Sequence, residues 1–428
     1  MLKYIGILIT GCVTSFYYFP FFFKAFPAQN TKNMMAAVGL VLICLQIIKV
    51  RKNVFAKDWI QIFTYAGIVS LVGLFSITIN NTPDYTYAFY IRIMILWLCA
   101  AFCVPIMLKI VHGKLSVPLL VNYLVAVCVF QCIMALLIDN SIAIKTFIDA
   151  HVEQGQFFLN DVNRLYGIGA NLDVAGSRFS AVLAMMSFLL MRKDNSKGIL
   201  SICYVIAFIF ICIVGNMIAR TTTVGMVLAI MYIVLMSCKK NGNKKTIKWM
   251  FWIACLAIPI LFNLYINNSE TQRLMRFAFE GFFSLAEKGE WEVSSNDRLM
   301  NVMVVFPDNL KTWLIGDGYF INPRETDPYF TGKITGGYYM GTDIGYLRFI
   351  FYFGVIGLLT FMAFFNKVTH TCIRFFGEYK HLFVMFLAIN FIVWLKVATD
   401  IFLVFALFLM LEFSNKVCIK NTPYESKL

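Results

Sequence analysis

An all-α polytopic membrane fold follows from three features of the sequence. Hydrophobic residues make up 60% of the 428 residues and charged residues only 14%, with a mean hydropathy of +0.74. A soluble domain carries roughly 25% charged residues, so a water-soluble chain of this size would lack the charge to cover its apolar surface. The chain also contains twelve apolar runs, at 4–23, 34–48, 59–79, 88–109, 117–138, 174–191, 198–215, 222–237, 249–266, 343–365, 382–396 and 401–415. A helix needs about 20 mostly apolar residues to cross hydrocarbon, somewhat fewer when flanking side chains snorkel. Runs of alternating polarity, the mark of a lipid-facing barrel strand, are absent.

Along the chain, the first run follows only Lys3 and precedes no small-x-small cleavage pattern, so it reads as a span and not as a signal peptide. Lys49, Arg51, Lys52 and Lys57 separate the second run from the third. The fourth follows a loop free of Lys and Arg, Asn80–Tyr87, and holds Arg92, for which pairing with a buried carboxylate and a role in catalysis are equally open. Lys109 and Lys114 precede the fifth run; Arg192, Lys193 and Lys197 follow the sixth; Lys239, Lys240, Lys244, Lys245 and Lys248 follow the eighth. The last two runs are short and also fit one bent hairpin around Lys396 and Asp400, whose four-residue spacing suits an ion pair.

Every second connection is basic. With the N-terminus inside, 21 of the 37 Lys and Arg face the cytoplasm, which places both termini there. The formal net charge of +14 then divides into +16 on the cytoplasmic segments and −2 on everything else. The basic excess is a topology signal, and no nucleic-acid partner is expected. Two long connections, 139–173 and the 76-residue stretch 267–342, fall outside. Nine of the 12 Cys sit in apolar runs and neither long outer loop contains one, so a disulfide framework is not expected.

The outer face is where chemistry is expected. No HExxH, CxxC or calcium-loop pattern occurs, and no P-loop or GxGxxG, so neither a metal nor a nucleotide cofactor is expected. What the outer face offers is arginine: Arg164, Arg178, Arg220, Arg273, Arg276, Arg298, Arg324 and Arg348. The planar guanidinium grips phosphate bidentately where Lys acts as a point charge, so this face fits a ligand carrying phosphate or diphosphate. Arg220 begins Arg220-Thr-Thr-Thr-Val224 in a very short turn and either faces a cavity or snorkels at the interface. Ser294–Phe306 reads as a capped amphipathic helix whose Arg298 points at a ligand or at solvent. The stretch 270–292 spaces Leu274, Phe277, Phe282 and Leu285 as a helix lying flat on the membrane, either a route for a lipid-linked substrate or an anchor. Asp343 opens the tenth run as a helix N-cap or as a partly desolvated general base. Tyr319, Tyr329, Tyr338 and Tyr339 nearby suit sugar stacking or an ordinary interfacial belt.

At these residues the chain resembles the bacterial O-antigen polymerase and O-antigen ligase superfamily. Arg220-Thr-Thr-Thr-Val224 is similar to the family's Arg-x3-Leu motif, with Val for Leu. Asp343-Ile344, nine residues and Gly354-Val-Ile-Gly357 follow the spacing of a His-Asn-x9-Gly-x2-Gly motif, with Asp for His and Ile for Asn. Arg298-Leu-Met leading to Trp313-Leu-Ile-Gly-Asp-Gly318, and Arg164-Leu-Tyr-Gly167 with Asn171–Ala175, look like two further segments. The likeness covers residues 160–360 and the overall topology.

The resemblance implies a metal-independent glycosyltransferase of GT-C type in the bacterial cytoplasmic membrane, polymerising undecaprenyl-diphosphate-linked repeat units into O-antigen, capsule or another exopolysaccharide. Donor and acceptor are then lipid-linked glycans, membrane lipids surround the protein, and a chain-length regulator and a flippase are implied partners. Asp343, Arg220 and Arg298 take catalytic roles on this reading, with Arg164, Arg178, Arg348, Tyr338 and Tyr339 binding diphosphate or sugar. Loss of the family His at 343 favours a polymerase over a ligase. A ligase, or a transporter or flippase of the same lipid-linked sugars, is the alternative.

Overall fold

A computed structural model describes residues 2–27, 29–50, 57–161, 164–192, 199–239, 244–323 and 337–419. Arg324 and Tyr329, and the basic residues Arg51, Lys52, Lys193, Lys197, Lys240, Lys420 and Lys427, lie outside them. Among the described residues every apolar run is helical: α1 Leu2–Tyr18, α2 Thr31–Val50, α3 Lys57–Asn80, α4 Tyr90–His112 and α5 Val117–Asn140. Short helices α6 Ile142–His151 and α7 Gln156–Asp161 precede α8 Leu172–Met191, α9 Ile199–Ile218, α10 Thr222–Ser237 and α11 Lys244–Asn267. Four more short helices follow, α12 Ser269–Ala278, α13 Glu280–Lys288, α14 Ser294–Arg298 and α15 Leu310–Leu314. The chain ends with α16 Gly345–Phe375, α17 Lys380–Val393 and α18 Phe402–Ile419. Among the described residues eight helices are long and apolar enough to cross a membrane, and the fold is that of an all-α polytopic membrane protein.

Several boundaries move from their expected positions for local reasons. The first run stops at Tyr18, two residues before Pro20, because a proline disfavours helical backbone in the residue before it. Phe22–Phe23 then pairs antiparallel with Val152–Glu153, a small ribbon that the sequence pattern did not foreshadow. Arg92, placed within the fourth run by sequence, falls in the first turn of α4 and is exposed. The stretch 270–292 is two helices broken at Phe279, the first capped by Asn268, whose Oδ1 accepts from Thr271 N at 2.9 Å. The expected helix over Ser294–Phe306 is only the five residues of α14 and a π-turn at Leu299–Met303, without a side-chain cap. Asp343 does not cap the tenth span, because α16 starts at Gly345 and Thr342 Oγ1 accepts from Ile344 N at 3.3 Å.

The chain forms two compact units. The first comprises 1–44, 99–291 and 410–415. At its centre α8 is buried from Ala175 to Met191 and packs chiefly on α10, then on α9 and α5. Small residues permit this closeness: a Cβ on Gly225 would overlap the backbone of Ser180, whose hydroxyl donates to Thr221 O and accepts from Gly225 N. By contrast α11 presents a largely unburied apolar surface, as expected of a helix facing lipid, with Thr246 near its start buried against α8. Phe21, Ile138, Ile148, Val152, Leu159 and Tyr166 form a separate core that anchors the 142–166 segment.

The second unit comprises 45–98, 292–409 and 416–428. Here α3 and α16 pack together over an aromatic core of Tyr87, Tyr90, Phe349, Phe353, Phe361, Phe364 and Trp394. Within α16 the helix breaks at Phe353 and Gly354, where Gly354 takes φ 69 and ψ −178. The carbonyls released there are taken up by neighbours. Asp317 N donates to Phe351 O at 2.6 Å, and Gly318 N and Ser76 Oγ donate to Tyr352 O at 3.1 and 2.7 Å. The Gly316-Asp-Gly318 and Gly354 motifs are thus two halves of one backbone joint.

Candidate functional site

The residues singled out in the sequence fall into two groups, one in each unit. In the first unit Arg164 and Arg220, 56 positions apart, converge on one aromatic ring. Their guanidinium carbons lie 4.3 and 4.1 Å from the centroid of Phe277. Arg164 sits in the turn after α7, where its amide donates to Leu159 O at 2.9 Å. Arg220 sits in the tight turn between α9 and α10, held by Ala219 N donating to Gly215 O and Thr222 N donating to Ala219 O. Phe277 is on the inward side of α12, which packs on α9 and α11.

Both arginines are half-buried. Burial pulls each below its usual proton affinity, and the charge of Asp173 opposes this in both; Arg220 adds to the lowering at Arg164. Arginine nonetheless stays charged, so the cost appears as incomplete hydration. Arg220 Nη1 lies 2.6 Å from Glu280 Oε2, with side chains 16% and 31% exposed. Guanidinium groups held against an aromatic ring in a partly dried site attract anions that carry several acceptor oxygens. Arg178 belongs to the same unit but lies inside α8, buried, its guanidinium carbon 5.8 Å from the Phe19 ring and its carbonyl accepting from Tyr18 Oη at 3.0 Å.

The second group surrounds Arg348, which is only 5% exposed and lies between two rings, 3.7 Å from the centroid of Phe320 and 4.0 Å from that of Tyr338. Its Nη2 donates to Phe320 O at 3.0 Å and its Nη1 lies 3.6 Å from Asp343 Oδ1. Asp343 therefore acts first as the near counter-charge of a buried guanidinium. Asp84 orders the same corner: its Oδ2 accepts from Phe320 N at 2.8 Å and its carbonyl accepts from Tyr352 Oη at 2.8 Å.

Tyr339 is not open for stacking on a ligand. It stacks on Tyr319 with centroids 5.3 Å apart, inside a cluster with Ile344, Leu347 and Phe351, and its hydroxyl donates to Asp317 Oδ2 at 3.3 Å. Burial, with Asp317 beside it, raises that phenol's proton affinity. Tyr338 stays exposed on its outer side. Arg298 is exposed at the end of α14, and its side chain has no hydrogen bond or ion pair among the described residues, although the next residue, Leu299, packs on the Tyr319–Tyr339 cluster.

Phe277, Glu280, Asp84 and Phe320 are the functional candidates that sequence reasoning missed. Phe277 carried only the signal of an apolar position in an amphipathic stretch, and Glu280 and Phe320 carried none. Among the described residues no three His, Cys, Asp or Glu side chains are grouped so as to hold a metal ion. No protein-family model, no curated protein and no solved structure matches this chain.

Proposed function

We propose that the protein polymerises undecaprenyl-diphosphate-linked oligosaccharide repeat units into O-antigen, capsule or another exopolysaccharide. The observation that carries the proposal is the convergence of Arg164 and Arg220 on Phe277, which brings two half-buried guanidinium groups to one part of the first unit. The reading adopts twelve spans in a GT-C-like arrangement, both termini cytoplasmic, with 139–173 and 267–342 outside a bacterial cytoplasmic membrane. It takes the enzyme as metal-independent, as the family resemblance implies.

In the proposed reaction the acceptor hydroxyl of a lipid-linked repeat unit attacks the anomeric carbon of the donor glycan. The bond from that carbon to the diphosphate oxygen breaks, the electron pair leaves with the diphosphate, and the hydroxyl proton passes to a base. Arg220 and Arg164 would hold the departing diphosphate, where negative charge develops. On the family resemblance alone, Asp343, a carboxylate of intermediate exposure 3.6 Å from Arg348, is assigned the role of base. Arg298, exposed and with no ion pair or side-chain hydrogen bond among the described residues, is available to a ligand.

The direct test is lengthening of a lipid-linked repeat unit by purified protein in micelles. Repeat units that stay single would exclude a polymerase, and their movement across a vesicle bilayer without lengthening would identify a transporter. A deletion strain that still displays single repeat units supports a polymerase, whereas one displaying none points to a ligase. Asp343→Asn keeps the shape and removes the base, so product formation should fall by about 100-fold or more. Activity within threefold of wild type would reduce Asp343 to a counter-charge for Arg348.

A further inference from the structure

Arg164 faces a second space in the first unit. A cavity of about 40 Å³ lies at the end of α5, walled by Asp139, Lys145, Asn160, Arg164, Tyr166 and Arg273 together with apolar side chains. Three of those residues are cations and one is a carboxylate. Asp139 Oδ1 is 3.8 Å from Arg273 Nη2, and Glu270 Oε2 takes the same nitrogen at 2.6 Å. The Nε of Arg273 is left buried with no acceptor among the described residues. Tyr166 donates its hydroxyl to Asp149 at 3.1 Å, so it brings no negative charge to the cavity.

A buried donor without an acceptor costs the desolvation of that group, which a bound oxygen removes. The space is large enough for about three water-sized spheres, at roughly 10–15 Å³ each. A water cluster would fill the volume and offer the Arg273 Nε only a neutral acceptor, although Asp139 and Glu270 already balance part of the charge of Lys145, Arg164 and Arg273. An anion satisfies that donor and the remaining charge.

We infer that this cavity is a second phosphoryl subsite, formed by Lys145, Arg164 and Arg273, which takes one phosphate of a diphosphate while Arg220 takes the other. Arg164 is common to the two. The inference rests on the proposed function for the diphosphate and adds two residues, Lys145 and Arg273, to its recognition.

The test is binding of inorganic diphosphate to the full chain in phosphatidylcholine nanodiscs, measured by calorimetry for wild type, Lys145→Gln, Arg273→Gln and Arg220→Gln. Lys145→Gln and Arg273→Gln should each weaken binding roughly tenfold, as expected for loss of one charge-assisted hydrogen bond. Lys145→Arg should restore it. Lys145 is only half-buried, so unchanged thermal unfolding of Lys145→Gln certifies an intact fold. Binding by both subsite variants within twofold of wild type overturns the inference; if Arg220→Gln alone loses binding, the proposed function stands without it. Weakening by the subsite variants with Arg220→Gln unaffected upholds the subsite and removes Arg220 from the reading. Failure of wild type to bind diphosphate overturns both. Replacing a third of the lipid by phosphatidylglycerol distinguishes the source of the phosphate: competition that abolishes Arg273-dependent binding makes this a headgroup site and overturns the assignment to diphosphate.

Discussion

Arg220→Ala should lower polymer formation by about 100- to 1,000-fold, the usual effect of deleting one donor aimed at developing negative charge. The guanidinium is poised for that role: it is half-buried, lies 4.1 Å from the Phe277 centroid and is tethered by Glu280 at 2.6 Å. Glu280 is 31% exposed, so its carboxylate can turn to water when a ligand takes its place. A diphosphate with its greater charge and oxygen count can therefore displace it. Arg220→Lys keeps the charge and loses the fork, so it should recover only part of the activity. Arg220→Ala also leaves Glu280 without its cation, and the double variant with Glu280→Gln separates that side effect from the chemistry. Polymer length and amount unchanged in Arg220→Ala, with the protein present in the membrane, would remove Arg220 from the site.

Gly354→Ala should cost about 3 kcal/mol or more, enough to abolish a folded product in many membrane proteins. The residue sits at φ 69, ψ −178, a region that only glycine occupies readily. An added Cβ would also overlap the carbonyl of Leu314 at the end of α15. Both effects act on the backbone, so no side-chain rotation relieves them. The joint with Asp317 and Gly318 would be lost with it, because the Phe351 and Tyr352 carbonyls that accept their amides are exposed by this break. Gly11→Ala is the matched control: its Cβ meets nothing within 4 Å in a helix, so stability should hold or rise slightly. Thermal unfolding of the purified variants reads the difference, and equal transitions for Gly354→Ala and Gly11→Ala would contradict the account.

The helices were legible because burial in lipid and burial in protein both demand apolar residues over a fixed length, and a run such as 117–138 satisfies either. The same ambiguity hid which helices face which solvent. α8 and α11 are both apolar runs, yet one is the buried centre of its unit and the other is mostly exposed. Only the small residues of α8, Gly176, Ser177, Ser180 and Ala184 among them, hint at the difference. The short helices of the long connections were misjudged where their ends depend on contacts and not on pattern, as at Phe279 and Leu299.

Candidate chemistry was legible as residue type and not as grouping. Arginines in a chain of few charges are conspicuous, and Asp343 and Arg348 stand close enough in sequence to be read together. Which of them converge was not readable, since Arg164, Arg220 and Phe277 come from three separate segments. Composition, apolar run length and the placement of Lys are local quantities, and they established a helical membrane protein. Partner choice is non-local: the turn after α7, the α9–α10 turn and α12 must pack before Arg164 and Arg220 meet Phe277, and before Arg273 can close the cavity beside them. That packing is set by the summed fit of many side chains, which no single segment encodes.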